Sequence, residues 1–100
     1  MEQIVSTGRT FEEILEVVSK ISEVDAADIL SHSKKAEVVD ARHIFVQLLV
    51  EHEWYPARIA RKLGVTEGTV SRALDHLQDR CKFSGKHLKN ILHAARERLK

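Results

Sequence analysis

Apolar side chains recur along this chain at helical spacing, and almost nowhere at the two-residue alternation of a half-buried strand. The first stripe is Phe11, Ile14, Leu15, Val18 and Ile21. Thr10 and Glu13, at its start, have capping-box spacing: the hydroxyl accepts from the amide three residues on, and the carboxylate reaches back to the cap amide. A helix is predicted from Phe11 to about Ser22. Asp25 is placed to cap a short second helix with Ala26, Ile29 and Leu30 facing inward. After a polar link from Ser31 to Lys35, a third helix is predicted from about Ala36 to about Glu53. Its Val38, Val39, Ala41, Ile44, Phe45, Val46, Leu48, Leu49 and Val50 cover well over half of its circumference and leave a polar arc of Glu37, Asp40, His43, Gln47 and Glu51. A helix so apolar belongs at the centre of a fold. Met1 to Arg9 shows no periodicity and is expected to be flexible.

From Pro56 to Leu77 the chain reads PARIARKLGVTEGTVSRALDHL. Ile59, Ala60 and Leu63 form the stripe of a short helix whose first turn accepts Pro56, because the missing N–H would be unpaired there anyway. Gly64 stops it at the left-handed position that a Cβ would strain. Val65 plugs the angle, and Thr66 caps the next helix. In that helix Val70, Leu74 and Leu77 face inward, with Ala73 small enough to admit the first helix closely. Trp54 and Tyr55, at the junction before it, read as core. A last helix, capped by Ser84, buries Leu88, Ile91, Leu92, Ala95 and Leu99, with Lys86, Lys89, Arg96, Arg98 and Lys100 outside. The pattern thus predicts an all-α, single-domain fold of six helices over residues 10–100, with a helix-turn-helix at about residues 56–78.

The 43% hydrophobic and 31% charged content is that of a globular chain able to build one core. A single cysteine, Cys81, allows no internal disulfide, zinc ribbon or redox pair. No basic-plus-apolar leader and no long apolar run occurs, so a cytoplasmic setting away from membranes is expected. The six histidines form no metal-ligand pair, no glycine-rich phosphate loop is present, and the carboxylates are spaced as solvated helix faces. Neither an enzyme, a cofactor, a metal nor a small-molecule substrate is expected. Charge is distributed unevenly: residues 1–33 hold two basic and seven acidic side chains, a balance of −5, and residues 34–100 fourteen against eight, a balance of +6. The basic part sits with the helix-turn-helix and its flanks, as for a surface that meets phosphates, although a pI of about 8.0 is modest for such a domain.

The outer side of the second motif helix is left with Thr66, Glu67, Gly68, Thr69, Ser71, Arg72, Asp75 and His76. In a helix-turn-helix such residues meet base edges in the major groove. Arg72 is the first choice for a base contact, since its planar fork matches guanine O6 and N7; against this stands a solvated arginine with Asp75 as a weak partner. Arg42 interrupts the apolar arc of the third helix. Its neighbours at three and four residues are Val38, Val39, Phe45 and Val46, so its partner must lie off the helix: an acid of the first helix, open solvent, or a phosphate or minor groove. Lys34 and Lys35 oppose the dipole of that helix, which an anionic partner would explain.

Several segments resemble the C-terminal duplex-binding domain of the bacterial replication initiator DnaA. FEEILEVV from Phe11 is similar to the family's first helix, SKKAEVVDARHI from Ser33 to its basic run and central helix, and IARKLG from Ile59 to the first half of its helix-turn-helix. The resemblance spans roughly residues 10 to 98 and implies a Trp-repressor-like fold. It places Arg42 on a minor-groove arginine, Thr69 on a recognition-helix threonine, and Lys34 and Lys35 on backbone contacts. The family's recognition helix opens on an Asp-His-Ser/Thr-Thr signature, whereas Gly64 is followed here by Val65, Thr66, Glu67, Gly68 and Thr69, and Arg72 stands where a family histidine would. The scaffold is therefore expected to carry over without the sequence it reads. One hundred residues leave no room for the family's ATPase module, so initiator activity by this chain alone is not expected. LGVTEGTVSRAL from Leu63 is also similar to sigma-factor and repressor helix-turn-helices.

The function expected is sequence-specific binding of double-stranded DNA in bacterial replication control or transcription regulation, through Lys34, Lys35, Arg42, Thr66, Glu67, Gly68, Thr69, Ser71, Arg72 and His76. The alternative is a protein-interaction module whose acidic first helices form the partner surface.

Overall fold

The computed structural model describes residues 10–83 and 85–100; the expected flexible segment at residues 1–9 and the Ser84 cap lie outside them. The described residues form six helices and no strand: α1 (Phe11–Ser22), α2 (Ala26–Ile29), α3 (Ala36–Glu51), α4 (Pro56–Leu63), α5 (Glu67–Phe83) and α6 (Lys86–Arg98). The capping box at α1 is complete, with the Glu13 amide donating to Thr10 Oγ1 and the Thr10 amide to Glu13 Oε1, both at 3.1 Å. At α2 the expectation is corrected twice. Asp25 occupies the cap position without a side-chain hydrogen bond, and Leu30 lies exposed at the far end while Ile29 carries the burial. Four residues give one helical turn, so a single side chain fills the inward face and the next points out.

α3 touches every other helix. Seven of its side chains, Val38, Ala41, Ile44, Phe45, Val46, Leu48 and Leu49, are buried. Phe45 meets the edge of Phe11 at 4.9 Å, and Phe11 meets Trp54 at 5.7 Å. Such ring pairs add about 0.5–1.5 kcal/mol each beyond the area they bury. Trp54 is thus core, as expected, but Tyr55 is 76% exposed: it caps α4, where its ring has left the core side of the chain. α4 turns two cations onto aromatic rings, Arg58 lying 4.1 Å over the Trp54 ring of the α3–α4 link and Lys62 5.1 Å from the Phe11 ring of α1.

Two helices end in the same way, one with glycine and one without. At α4 the Val65 amide returns to the Ala60 carbonyl at 3.0 Å and Gly64 has φ +70°. At α3 the Trp54 amide returns to Leu49 and the Glu53 amide to Val50, each at 3.0 Å, with Glu53 at φ +68°. Both are Schellman ends, in which a left-handed residue lets two amides satisfy orphan carbonyls. The α3 helix therefore stops at Glu51 rather than near Glu53. The cap of α6 is Gly85, held close to the end of α5: a Cβ built there would lie 2.5 Å from the Arg80 carbonyl oxygen.

These glycines differ in what they forbid. Gly64→Ala meets no neighbour and is expected to lose about 1–2 kcal/mol from left-handed strain alone. Gly85→Ala drives a methyl into backbone and is expected to lose about 1–3 kcal/mol, or to shift α6 away from α5. Urea denaturation of both variants, with α6 exchange protection followed in the second, checks this: only Gly85→Ala should lose protection in α6.

Candidate nucleic-acid interface

The interface is built around the angle between α4 and α5. Ile59 and Ala60 of α4 and Val70, Ala73 and Leu77 of α5 are buried against one another and the core. Across the turn, Thr66 Oγ1 accepts the Thr69 amide at 3.1 Å, the N-terminal cap read from the sequence. The two threonine hydroxyls also meet each other at 3.0 Å. Packing on one side leaves Thr66, Glu67, Gly68, Thr69, Ser71, Arg72, Asp75 and His76 exposed on the other.

Beside that exposed face, a cleft of about 630 Å³ runs between α5 and the α2–α3 link. Lys34, Arg42, Thr69, Arg72 and His76 line it, over an apolar floor that includes Val39, Val46, Val65 and Val70. The fold thus gathers five of the ten expected residues. Lys35 caps α3 just outside the cleft, its amide held by Ser33 Oγ at 3.3 Å. Thr66, at the cap of α5, and Glu67, Gly68 and Ser71, on it, do not line the cleft. No carboxylate of the described residues lines the cleft, so its cations are not neutralised from within by them. A low-dielectric wall carrying one sign of charge concentrates counter-ions.

Arg42 shows how that charge is kept. Its Nε donates to the Ile29 carbonyl at 2.8 Å, and its Nη2 to those of Ser33 at 3.2 Å and Asp28 at 3.4 Å. The off-helix partner is therefore neither an acid of the first helix nor open solvent but the end of α2 and the link. Carbonyl dipoles satisfy donors without cancelling a charge, and Nη1 makes no hydrogen bond among the described residues. Burial pulls the Arg42 pKa below its ordinary value, yet a guanidinium stays protonated in proteins.

Two residues outside the expected set belong here. His43 lines the cleft, with its ring 6.0 Å from that of His76. Burial lowers its pKa, aided by His76, Arg42 and Arg80 against the opposing pull of Asp40. It was read as one of five polar residues on the α3 arc, and nothing in the sequence joins it to a residue thirty-three places on. Arg61 is exposed on α4, the helix that in this motif crosses the phosphate backbone, and it makes no ion pair among the described residues. Its neighbours Arg58 and Lys62 are turned onto aromatic rings. The signal for Arg61 was its place in the motif, one turn before Gly64.

A capped, tightly turned helix pair beside a cationic cleft defines a helix-turn-helix DNA-binding domain. The family described as bacterial dnaA protein helix-turn-helix matches residues 11–76, and the chain belongs to it. No curated protein and no solved structure matches. The matched segment begins at α1 and ends at His76, so it takes in the whole cleft and stops short of the end of α5 and of α6.

The depressed pKa of His43 means that the unfolded chain binds this proton more readily than the folded one. The stability involved is complete above its ordinary value of 6.5 and is lost as pH falls below that toward the folded value. Urea midpoints between about pH 7 and pH 5 are expected to fall more steeply in the wild type than in His43→Gln; parallel curves would mean that His43 does not carry the effect.

Proposed function

We propose that the chain binds double-stranded DNA in a sequence-specific manner, with the first turns of α5 in the major groove and Arg42, Lys34 and Lys35 on the adjoining backbone or minor groove. The observation that carries this reading is the cleft, in which three cations (Lys34, Arg42, Arg72) and three imidazoles (His32, His43, His76) face one opening with no carboxylate of the described residues among them. Family membership supports DNA as the ligand. It does not favour the alternative in which the acidic first helices are the working surface and the helix-turn-helix only a scaffold. The role is control of replication or transcription in the cytoplasm, without ATPase activity.

Within this reading Arg72 reads bases, Thr69 and His76 flank it, and Lys35 and Arg61 contact phosphates. Thr66 holds the helix end together, which leaves its hydroxyl committed to Thr69. Gly68 has a different part. A Cβ at that position would meet only Thr66 Oγ1, at an ordinary 3.7 Å, so the fold itself does not call for glycine there. A bare backbone at the second residue of α5 suits close approach of a DNA strand.

Selection of binding sites from random duplex is the direct test, and failure to enrich any motif would remove sequence specificity. Arg72→Ala is expected to lose about 1–3 kcal/mol on the selected site and to relax the base preference, whereas Lys35→Ala weakens all sequences alike and lowers the salt slope by about one. Equal losses on selected and random duplex for Arg72→Ala would remove its base-reading role. Gly68→Ala is expected to raise thermal stability slightly, by about 0.5–1 kcal/mol of helix propensity, while weakening DNA binding; an unchanged affinity would deny the close approach.

A further inference from the structure

Most of the positive balance of residues 34–100 lies past the helix-turn-helix, on its C-terminal flank. Residues 34–79 hold seven basic and seven acidic side chains, and residues 80–100 hold seven basic and one acidic, a balance of +6. This excess lies beyond the segment that matches the family, on the end of α5 and on α6.

Part of it is spent inside the fold. Arg80 pairs with Asp40, Arg96 with Glu51, and Lys100 with Glu97. Lys86, Lys89 and Arg98, by contrast, are exposed and make no ion pair among the described residues. Lys86 and Lys89 stand in the first turn or so of α6, which carries no acidic residue to offset them. Cations at that end oppose the helix dipole, so the fold does not gain from them.

The arrangement is also linear. Lys86, Lys89 and His93 follow at spacings of three and four, on the side of α6 away from its buried Leu88, Leu92 and Ala95. At 1.5 Å per residue they form a row about 10 Å long, suited to a line of phosphates rather than to one anion. Next to the row, a groove of about 570 Å³ between α5 and α6 is walled by Lys82, Lys89, His93 and Arg96, again without a carboxylate among its lining residues. No residue lines both this groove and the first cleft. Nor does α6 touch α2 or α4, the helices that flank the first cleft and its turn.

We propose that this basic face of α6 and the end of α5 binds the phosphate backbone of a second DNA duplex, without reading sequence, while the helix-turn-helix holds the first. The chain would then bridge two duplex segments as a single molecule. The inference rests on the helix-turn-helix reading for its first duplex, and on charge and placement alone for its second.

A bridging assay tests it with the full chain. One duplex is fixed to beads, a second, labelled duplex of unrelated sequence is offered, and capture is measured as salt is raised. The wild type is expected to capture the second duplex at low salt and release it steeply, as phosphate contacts do. The double variant Lys86→Glu with Lys89→Glu should bind the beads within about twofold of wild type yet capture at least about tenfold less. Its melting temperature should be unchanged or higher, since acidic residues suit that helix end; this separates lost charge from lost fold. Undiminished capture by the double variant would overturn the proposal. So would a wild type that captures nothing while the double variant loses bead binding, because the basic face would then grip the same duplex as the helix-turn-helix. Arg72→Ala reports separately on the first duplex: unchanged bead binding would remove the helix-turn-helix reading, whereas the second surface stands or falls on the lysine comparison.

Discussion

A helix that is apolar around most of its circumference cannot rest against a single neighbour, and covering α3 is the constraint that arranges the rest of this molecule. α1 lies on it through Phe11 and Phe45, and α2, α4, α5 and α6 take the remaining sides. Only the arc near Asp40, His43 and Gln47 is left partly open. The short connections follow from this, since each element must turn back on the same axis. The exposed face of α5 follows too: once Val70, Ala73 and Leu77 are taken up by packing, with Leu74 half-buried beside them, Ser71, Arg72, Asp75 and His76 are left pointing out.

Several cations of the fold are satisfied by groups which do not neutralise them. Arg42 is held by carbonyl oxygens, and Arg58 and Lys62 by aromatic rings. Carboxylate partners appear instead where helices are laced together away from the first cleft, as Arg80 to Asp40 and Arg96 to Glu51. Burial alone would raise the pKa of Glu51, but the hydrogen bonds from Arg96 and Gln47 outweigh it and lower the value.

Most of the fold was legible because its signals are local. Thr10 with Glu13, Gly64 with Val65, and Thr66 with Thr69 each act within a few residues, and each forms as read. What could not be read depends on chain conformation or on distance. Glu53 takes the left-handed position that glycine usually advertises, so the end of α3 carried no mark. Leu30 is apolar yet follows the last residue of a one-turn helix, which is too short for a period to fix the side it faces. The site was half legible: spacing on α5 exposed its outer face, but the convergence of Lys34, Arg42 and His43 on that face is a property of how α3 crosses α5. The partner of Arg42 was invisible for a further reason, since every residue has a carbonyl and no sequence pattern singles out those of Asp28, Ile29 and Ser33.

The grip of Arg42 on those carbonyls also has an entropic side. The segment carrying Lys34 and Lys35 would cost roughly 1–2 kcal/mol per residue to immobilise if it were ordered only on meeting its ligand. Here the guanidinium fixes the end of α2 and the Ser33 carbonyl, and the Ser31 and Ser33 hydroxyls accept the amides of Ser33 and Lys35. That ordering is completed during folding and charged against fold stability. On the proposed reading a duplex would meet a preorganised edge, and the association step would be spared a loss of chain freedom that a loose basic loop would impose.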